Sequence, residues 1–179
     1  MKITPLKHIT QQSIDELGLN GYVTDKIYNV SITGQDTLSI TLQKIERPYT
    51  KKWETTQEDI SEYNSIIKTG HSFSISDRGA MLGLIICEHR VWNNTLYITT
   101  ILVSEKYRKQ GVGKRLIAAA IEHAQMLQCR LVELETQNTN VPAVDFYKKL
   151  GFKITGLNTK LYSDCRESAL FMTYENRQA

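Results

Sequence analysis

The sequence predicts an α/β protein of the α+β kind, in which helices flank a mixed and mostly antiparallel central sheet. Two successive pairs of strand-like segments, each joined by a short glycine-containing turn, predict antiparallel hairpins. A helical segment of about 15 residues between two apolar strands has the length needed to connect parallel strands. No proline-rich or glycine-rich linker divides the 179 residues, so we expect a single domain over residues 1–179.

The N-terminal part predicts one short helix and a first hairpin. Apolar residues at helical spacing favour a helix within residues 1 to about 21. Lys26–Thr33 and Leu38–Ile45 alternate apolar with polar side chains, and the turn Gly34-Gln35-Asp36 joins them. We expect Arg47-Pro48-Tyr49 to end the second of these strands.

A polar stretch follows from residue 46 to residue 69, and its last part, residues 57–68, is expected to form a helix. The stretch is rich in carboxylates, namely Glu54, Glu58, Asp59 and Glu62. These side chains form either an ordinary solvated face or an acidic surface that attracts a cationic amine. The sequence leaves both interpretations open.

A second hairpin and a further strand lead to the most informative turn. The hairpin turns at Asp77-Arg78-Gly79, and residues 80–89 form its more apolar arm. Trp92-Asn93-Asn94 then turns the chain into Leu96–Val103, whose β-branched and aromatic residues predict a strand.

The segment Tyr107–Lys114 connects this strand to an amphipathic helix. The apolar positions of the helix are Leu116, Ile117, Ala120, Ile121, Ala124 and Leu127. Gly111 and Gly113 allow a ligand to approach the backbone, and the first amides of a helix have no intrahelical partner. The turn is therefore either a site for an anion such as a phosphate or an ordinary tight connection.

The remaining chain predicts a parallel strand, a helix and two final strands. Leu131–Thr136 reads as a strand parallel to the one before the turn. A polar loop at residues 137–140 precedes the helix Ala143–Leu150, which has Pro142 near its start and ends at Gly151. Strands are expected at residues 152–157 and 168–174.

The composition excludes several classes of protein. With 22 basic and 19 acidic residues the net charge is only +3, without the basic stripe of a nucleic-acid binder. Cys87, Cys129 and Cys165 lie far apart and lack metal-ligand spacing, so we expect no metal site. Cys87 and Cys129 lie in apolar segments, where we expect buried free thiols. Neither a signal peptide nor a membrane span is visible, and we expect a cytoplasmic protein.

Two motifs together resemble those of the GNAT superfamily of N-acetyltransferases. They are Arg108-x-x-Gly111-x-Gly113 at the strand-to-helix turn and Asn140-x-x-Ala143-x-x-Phe146-Tyr147-x-x-x-Gly151-Phe152 at the later helix. The resemblance covers residues 70–175, which would form the core that binds acetyl-CoA, with residues 1–69 on the substrate side. It implies the GNAT fold, in which the two parallel strands splay apart and the thioester enters the gap.

The resemblance also assigns residues to acetyl-CoA. The amides of Gln110–Lys114 would hold the pyrophosphate, and Arg108 and Lys109 would add charge. The complete set of expected cofactor residues is Ile101, Leu102, Val103, Arg108, Lys109, Gln110, Gly111, Val112, Gly113, Lys114, Asn140, Ala143 and Tyr147. Tyr147 matches the tyrosine that often protonates the departing thiolate, although a half-buried structural tyrosine is the alternative.

A closer resemblance is to the streptothricin acetyltransferases. It rests on Trp92-Asn93, Leu134-Glu135-Thr136-Gln137, Asn138-x-Asn140, Phe146-Tyr147, Gly151-Phe152, Leu161-Tyr162 and, more loosely, Pro48-Tyr49. Thr99-Thr100 stands where those enzymes typically carry an acidic pair, and threonine cannot act as a base near neutral pH. The base, if one is needed, must therefore lie elsewhere.

Spacing suggests Glu135 as that base or as a ligand for the substrate ammonium. Glu133 and Glu135 lie two apart in a strand and so share a face, and paired carboxylates can raise the pKa of one of them. Alternatively both glutamates meet lysines on the sheet surface. Glu88 and the acidic stretch before residue 63 are weaker candidates, and a route through water needs no strong base.

These observations predict an acetyl-CoA-dependent N-acetyltransferase. A primary amine of a small cationic substrate, such as a streptothricin-like antibiotic, would attack the thioester directly. With such a substrate the protein would have a role in antibiotic resistance. A main-chain amide near Leu102 or Val103 would stabilise the oxyanion. The alternatives are a non-catalytic acyl-CoA sensor, or an acetyltransferase that acts on a polyamine, a free amino acid or a protein amine. No nucleic-acid or membrane partner is expected. The sequence does not set the oligomeric state, and the resemblance implies a homodimer only in that members of the family often dimerise.

Overall fold

A computed structural model describes residues 1–18 and 20–176, and the chain divides into two compact units. Unit 1 comprises Met1–Asn20, Trp53–Leu134 and Tyr174–Ala179, and unit 2 comprises Gly21–Lys52 and Glu135–Thr173. Residues 19 and 177–179, which the predicted single domain includes, lie outside the described residues. The single domain itself stays a prediction.

Unit 1 is built on a mixed sheet. Its strands, in chain order, are β1 (Lys2–Pro5), β4 (Phe73–Asp77), β5 (Ala80–Arg90), β6 (Thr95–Val103) and the first part of β7 (Leu131–Gln137). They lie in the order β1-β4-β5-β6-β7, and all neighbours are antiparallel except β6 and β7. The predicted mixed, mostly antiparallel sheet with one parallel pair is thus confirmed. The parallel ladder joins Thr95–Ile98 to Leu131–Leu134, while β6 continues to Val103.

Three helices belong to unit 1: α1 (Gln11–Leu17), α2 (Gln57–Ile67) and α3 (Val112–Met126). Thr10 and Thr56 begin α1 and α2 as capping boxes, which satisfy amides that have no partner in the helix. Apolar side chains of α1, α2, β5 and the segment before α1 form one buried cluster: Leu6, Ile9, Ile14, Leu17, Ile60, Ile67, Leu84 and Ile86. Apolar spacing predicted α1 and α3, and α2 was expected at the end of the polar stretch.

Unit 2 contains a long two-stranded sheet, a short helix and the last strands. The strands β2 (Asn20–Thr33) and β3 (Ser39–Trp53) pair with each other, and α4 spans Val141–Lys149. The end of β7 is followed in the sheet order by β9 (Ala169–Glu175) and β8 (Lys153–Asn158), and β8 and β9 are antiparallel.

Asn138 joins two parts of unit 2 through both its main chain and its side chain. Its main-chain amide donates to the carbonyl of Ser168, and its carbonyl accepts from the amide of Tyr28, each at 2.9 Å. Its side-chain Nδ2 donates to the carbonyl of Tyr28, and Oδ1 accepts from the amide of Ser168, each at 2.7 Å. One buried residue thus connects β2 to the segment that begins β9.

Two predictions about strands need correction. Arg47-Pro48-Tyr49 does not end β3, which continues to Trp53. A two-stranded sheet leaves each strand with one free edge, where a proline removes no ladder hydrogen bond. The strand β1 was not predicted; it is only four residues long and pairs with β4 at the edge of the sheet.

Among the described residues no helix is long and apolar enough to cross a membrane.

Candidate active site

The predicted anion-binding turn lies in unit 1 at the N-terminus of α3. Gly111 is the N-cap residue with φ of 83°, and Lys109 has φ of 60°. The amide of Arg115 donates to the carbonyl of Gly111 at 3.0 Å, which is the first hydrogen bond of the helix. The amides of Val112, Gly113 and Lys114 therefore precede the helical ladder. A Cβ at Gly111 would meet no atom within 4 Å, so the space before these amides is open.

Basic side chains surround the turn. Lys109 and Lys114 are exposed. Arg108 is held near the end of β6, because its Nε donates to the carbonyl of Val103 at 3.3 Å and its guanidinium lies 3.7 Å from Glu105. The amides, the helix dipole and these cations together form an environment suited to a phosphate group.

The strand β6 runs towards this turn. Its residues Ile101, Leu102 and Val103 are half-buried and pair with β5. Gly83 of β5 lies opposite, and a Cβ there would stand 2.6 Å from the carbonyl oxygen of Leu102. Only glycine therefore allows the two strands to approach in this way.

Thr100 of the threonine pair and Asp59 of the acidic stretch both take part in structural hydrogen bonds. Thr100 forms a side-chain hydrogen bond with Tyr63 of α2, whose phenol has a raised pKa because it is buried. Asp59 accepts hydrogen bonds from the amide and the hydroxyl of Thr56 at 2.7 and 2.8 Å, which lowers its pKa. Asp59 therefore begins a helix, and of the two interpretations of the acidic stretch this residue favours the structural one.

Asn140 and Ala143 lie in unit 2 at the start of α4. Oδ1 of Asn140 accepts a hydrogen bond from the amide of Ala143 at 3.3 Å, so Asn140 is the N-cap of this helix. Pro142 occupies the first turn, where its missing N–H removes no helical bond. This geometry explains the residue types of the motif through helix initiation, and their contact with acetyl-CoA stays a prediction.

Tyr147 is buried in α4, with 7% of its surface exposed. Its ring packs against Phe146 and Phe152, with centroids 5.2 and 5.8 Å apart. Burial raises the pKa of the phenol well above its usual value, and the charge of Glu135 raises it further. Tyr147 therefore keeps its proton near neutral pH and could donate it to a developing thiolate.

Glu135 belongs to the end of β7 in unit 2. The hydroxyl of Tyr162 donates a hydrogen bond to its Oε1. Burial raises the pKa of Glu135, while the hydrogen bond from Tyr162 and the charge of Lys51 lower it and the charge of Glu167 raises it. The carboxylate that raises the pKa of Glu135 is thus Glu167, and not Glu133 as the strand spacing suggested. Glu167 comes from a distant part of the chain, which strand spacing cannot reveal.

Glu167 is the carboxylate that sequence reasoning missed. It is 2% exposed and accepts a hydrogen bond from the Tyr49 hydroxyl at 3.0 Å, and it forms an ion pair with Lys51. Thr139 lies at 3.4 Å from its Oε1, and the Thr139 hydroxyl bonds that of Tyr22 at 2.6 Å. Pro48-Tyr49 and Leu161-Tyr162 in the sequence pattern were the available signals for this cluster.

A cavity of about 380 Å³ in unit 2 adjoins this carboxylate cluster. Tyr49 and Thr139 line the cavity and also contact Glu167. Tyr28, Arg47 and Arg166 contribute further to the wall.

Among the described residues, no group of three or more His, Cys, Asp or Glu side chains could hold a metal ion. All three cysteines are free, and Cys87 and Cys129 are buried as expected.

The chain is similar to known acetyltransferases. The model of the acetyltransferase (GNAT) family matches residues 39–152. Streptothricin acetyltransferase A of Bacillus subtilis (strain 168) is 33% identical to the chain over 138 residues, which are 75% of this chain and 78% of that protein.

Two solved structures are similar over nearly the whole chain. Nourseothricin acetyltransferase has a TM-score of 0.77 and 26% identity, and the match covers 97% of both chains. A protein of Bacillus anthracis str. Ames, described as a streptothricin acetyltransferase and solved with acetyl coenzyme A, has a TM-score of 0.72 and 26% identity. That match covers 98% of this chain and 100% of the other. The extent of the family match and the identity to the Bacillus subtilis relative show that the chain belongs to the acetyltransferase (GNAT) family.

Proposed function

We propose that this acetyltransferase transfers the acetyl group of acetyl-CoA to a primary amine of a small cationic acceptor of the streptothricin type. The similarity to streptothricin acetyltransferase A, which covers three quarters of the chain, is the observation that carries this proposal. The carboxylate cluster of unit 2 supports it, because the carboxylate of Glu135 can attract an ammonium group while Lys51 pairs with Glu167.

The turn before α3 fits the pyrophosphate of acetyl-CoA. A Cβ at Gly111 would meet no atom within 4 Å, and the amides of Val112, Gly113 and Lys114 precede the first hydrogen bond of α3. The amides of Gln110–Lys114 would hold the phosphates with Arg108 and Lys109 beside them. Ile101–Val103 would continue the acetyl-CoA site of unit 1 along β6, and a main-chain amide of Leu102 or Val103 would stabilise the oxyanion. The family resemblance assigns Asn140 and Ala143 of unit 2 to acetyl-CoA as well. Acetyl-CoA supplies an acetyl group activated as a thioester.

Glu135 would accept the proton of the acceptor ammonium or bind that ammonium directly. The neutral amine is the nucleophile, so a base with a raised pKa helps near neutral pH. The pKa of Glu135 is raised by burial, and Tyr162 orients its carboxylate. Tyr147 would then give its proton to the thiolate, since its own pKa keeps it protonated.

A screen of amine acceptors with acetyl-CoA, read by release of free thiol, tests this proposal. The panel contains streptothricin, an aminoglycoside, spermidine, lysine and a peptide with a free N-terminus. We expect thiol release and acetylated product with streptothricin, and little with the peptide. Selective acetylation of the peptide or of spermidine would refute the assigned acceptor. Acetyl-CoA binding without release with any amine would favour the sensor.

A further inference from the structure

Lys51 of β3 lies against both parts of the carboxylate cluster in unit 2. Its Nζ forms an ion pair with Oε2 of Glu167, and it stands 5.2 Å from the centroid of the Tyr162 ring. The hydroxyl of that same tyrosine donates to Glu135. One ammonium is therefore placed by an anion on one side and an aromatic ring on the other.

The pairing is well defined because little water reaches it. The side chain of Glu167 is 2% exposed and that of Lys51 is 25% exposed. Tyr49 and Thr139 contact the same carboxylate, so Glu167 is fixed from several sides. Electrostatic interactions in such surroundings are stronger than at an exposed surface. A change of charge at Lys51 or Glu167 must therefore be felt by Glu135.

We propose that Lys51 and Glu167 are positioning residues of the acetyl transfer, which act in opposite directions on the charge of Glu135. Lys51 favours its ionised form, and Glu167 both holds Lys51 in place and disfavours a second negative charge nearby. This inference rests on the proposed function, in which Glu135 accepts a proton or binds the ammonium.

The three tyrosines around Glu135 do not change charge near neutral pH. The titratable side chains that interact with it are Lys51 of β3, Glu167 before β9, Tyr162 after β8, Tyr147 of α4 and Tyr22 of β2. Burial is the main cause of the raised pKa of each of the three tyrosines. They remain neutral, so Lys51 and Glu167 are the charges that act on Glu135.

The pH dependence of kcat/KM with the acceptor found in the amine screen tests the proposal. Lys51→Met removes a cation, so the acid limb should move up by about one pH unit. Glu167→Gln removes an anion but keeps an amide oxygen that can accept a hydrogen bond from Lys51, so Lys51 stays in place and the limb should move down. Lys51→Arg keeps the charge and should restore the limb of the unmodified enzyme. Shifts of Lys51→Met and Glu167→Gln in the same direction, or no shifts, would overturn the proposal.

Titration of the Glu135 carboxyl carbon by NMR in protein labelled at glutamate gives a second readout that needs no activity. Glu135→Gln identifies the resonance. The pKa of Glu135 should rise in Lys51→Met and fall in Glu167→Gln. If the shifts occur but Glu135→Gln retains full activity, the inference stands and the assigned role of Glu135 fails. If Glu135→Gln is inactive but the pKa of Glu135 is unchanged in Lys51→Met and Glu167→Gln, the inference fails alone. Should Lys51→Met not fold by circular dichroism, Lys51→Gln carries the same test.

Discussion

The hydroxyl of Tyr162 donates a hydrogen bond to Oε1 of Glu135, across a separation of 27 residues in the chain. This bond stabilises the ionised carboxylate against the effect of burial, which favours the protonated form. The carboxylate is thereby kept as an acceptor of protons at a half-buried position.

Tyr162→Phe should raise the pKa of Glu135 and lower kcat/KM below neutral pH. A hydrogen bond to a charged group contributes about 1.5–3 kcal/mol, so we expect a loss of about tenfold or more on the acid limb. Tyr49→Phe is a useful comparison, because the Tyr49 hydroxyl bonds Glu167 and does not bond Glu135. Equal pH profiles for Tyr162→Phe and the unmodified enzyme would contradict the assigned hydrogen bond.

Tyr147→Phe should lower kcat by about 100-fold and leave the affinity for acetyl-CoA nearly unchanged. The phenol is the proposed proton donor, while the ring packing against Phe146 and Phe152 is retained by phenylalanine. Stopped-flow thiol release and calorimetric titration with acetyl-CoA measure the two quantities. A rate equal to that of the unmodified enzyme would remove Tyr147 from the mechanism.

Gly111→Glu should abolish binding of acetyl-CoA, because a carboxylate would occupy the open space before α3 and repel the phosphates. Gly70→Glu is the matched control. Gly70 has φ of 86° against 83° for Gly111, and a Cβ at either position meets no atom within 4 Å. Both variants therefore carry the same backbone strain. Loss of binding in both, or in neither, would argue against a phosphate site at Gly111.

Two adjacent histidines in unit 1, His71 and His123, should make stability depend on pH. Nδ1 of His71 lies 2.9 Å from Nε2 of His123, the rings of His71 and His89 are 5.6 Å apart, and Nε2 of His89 is buried without a hydrogen-bond partner among the described residues. Burial and the neighbouring histidines lower the pKa of His71 and His123 from 6.5. The unfolded chain then binds more protons, so this contribution to stability is complete above pH 6.5 and is lost as the pH falls below it.

Urea unfolding at pH 7.5 and pH 5.5 measures the effect of the histidines. His123→Gln should lose less stability between these two pH values than the unmodified protein does, because one of the adjacent protonation sites is gone. The difference between the two proteins removes the contribution of the carboxylates, including Glu135, that titrate in both. If His123→Gln loses as much stability between pH 7.5 and pH 5.5 as the unmodified protein does, His123 does not contribute to the pH dependence of the free energy of unfolding.

Local sequence patterns predicted the strand-turn-helix unit around Gly111, because apolar periodicity and glycine placement act within a few residues. The same holds for α4, where Asn140 and Pro142 determine how the helix begins. Patterns were less reliable at Pro48, since a proline marks either the end of a strand or a free edge, and only the number of neighbouring strands distinguishes the two.

The cluster around Glu135 could not be assembled from spacing. Tyr49 and Lys51 are 118 and 116 residues from Glu167, their common partner. Strand alternation correctly placed Glu133 and Glu135 on one face, but it carries no information about which distant segment covers that face. The resemblance to known enzymes singled out Tyr49 and Tyr162, whereas Lys51 and Glu167 appeared only in the structure.

The four hydrogen bonds of Asn138 have a consequence for the exchange of amide protons. A two-stranded sheet is barely stable alone, so β2 and β3 depend on attachments such as this one to stay closed. The amides of Tyr28 and Ser168 both donate hydrogen bonds to Asn138. They should therefore exchange with solvent together, through a common opening event. In Asn138→Ala, deuterium should enter the whole hairpin faster, and binding of an acceptor beside Tyr49 would then slow the exchange again.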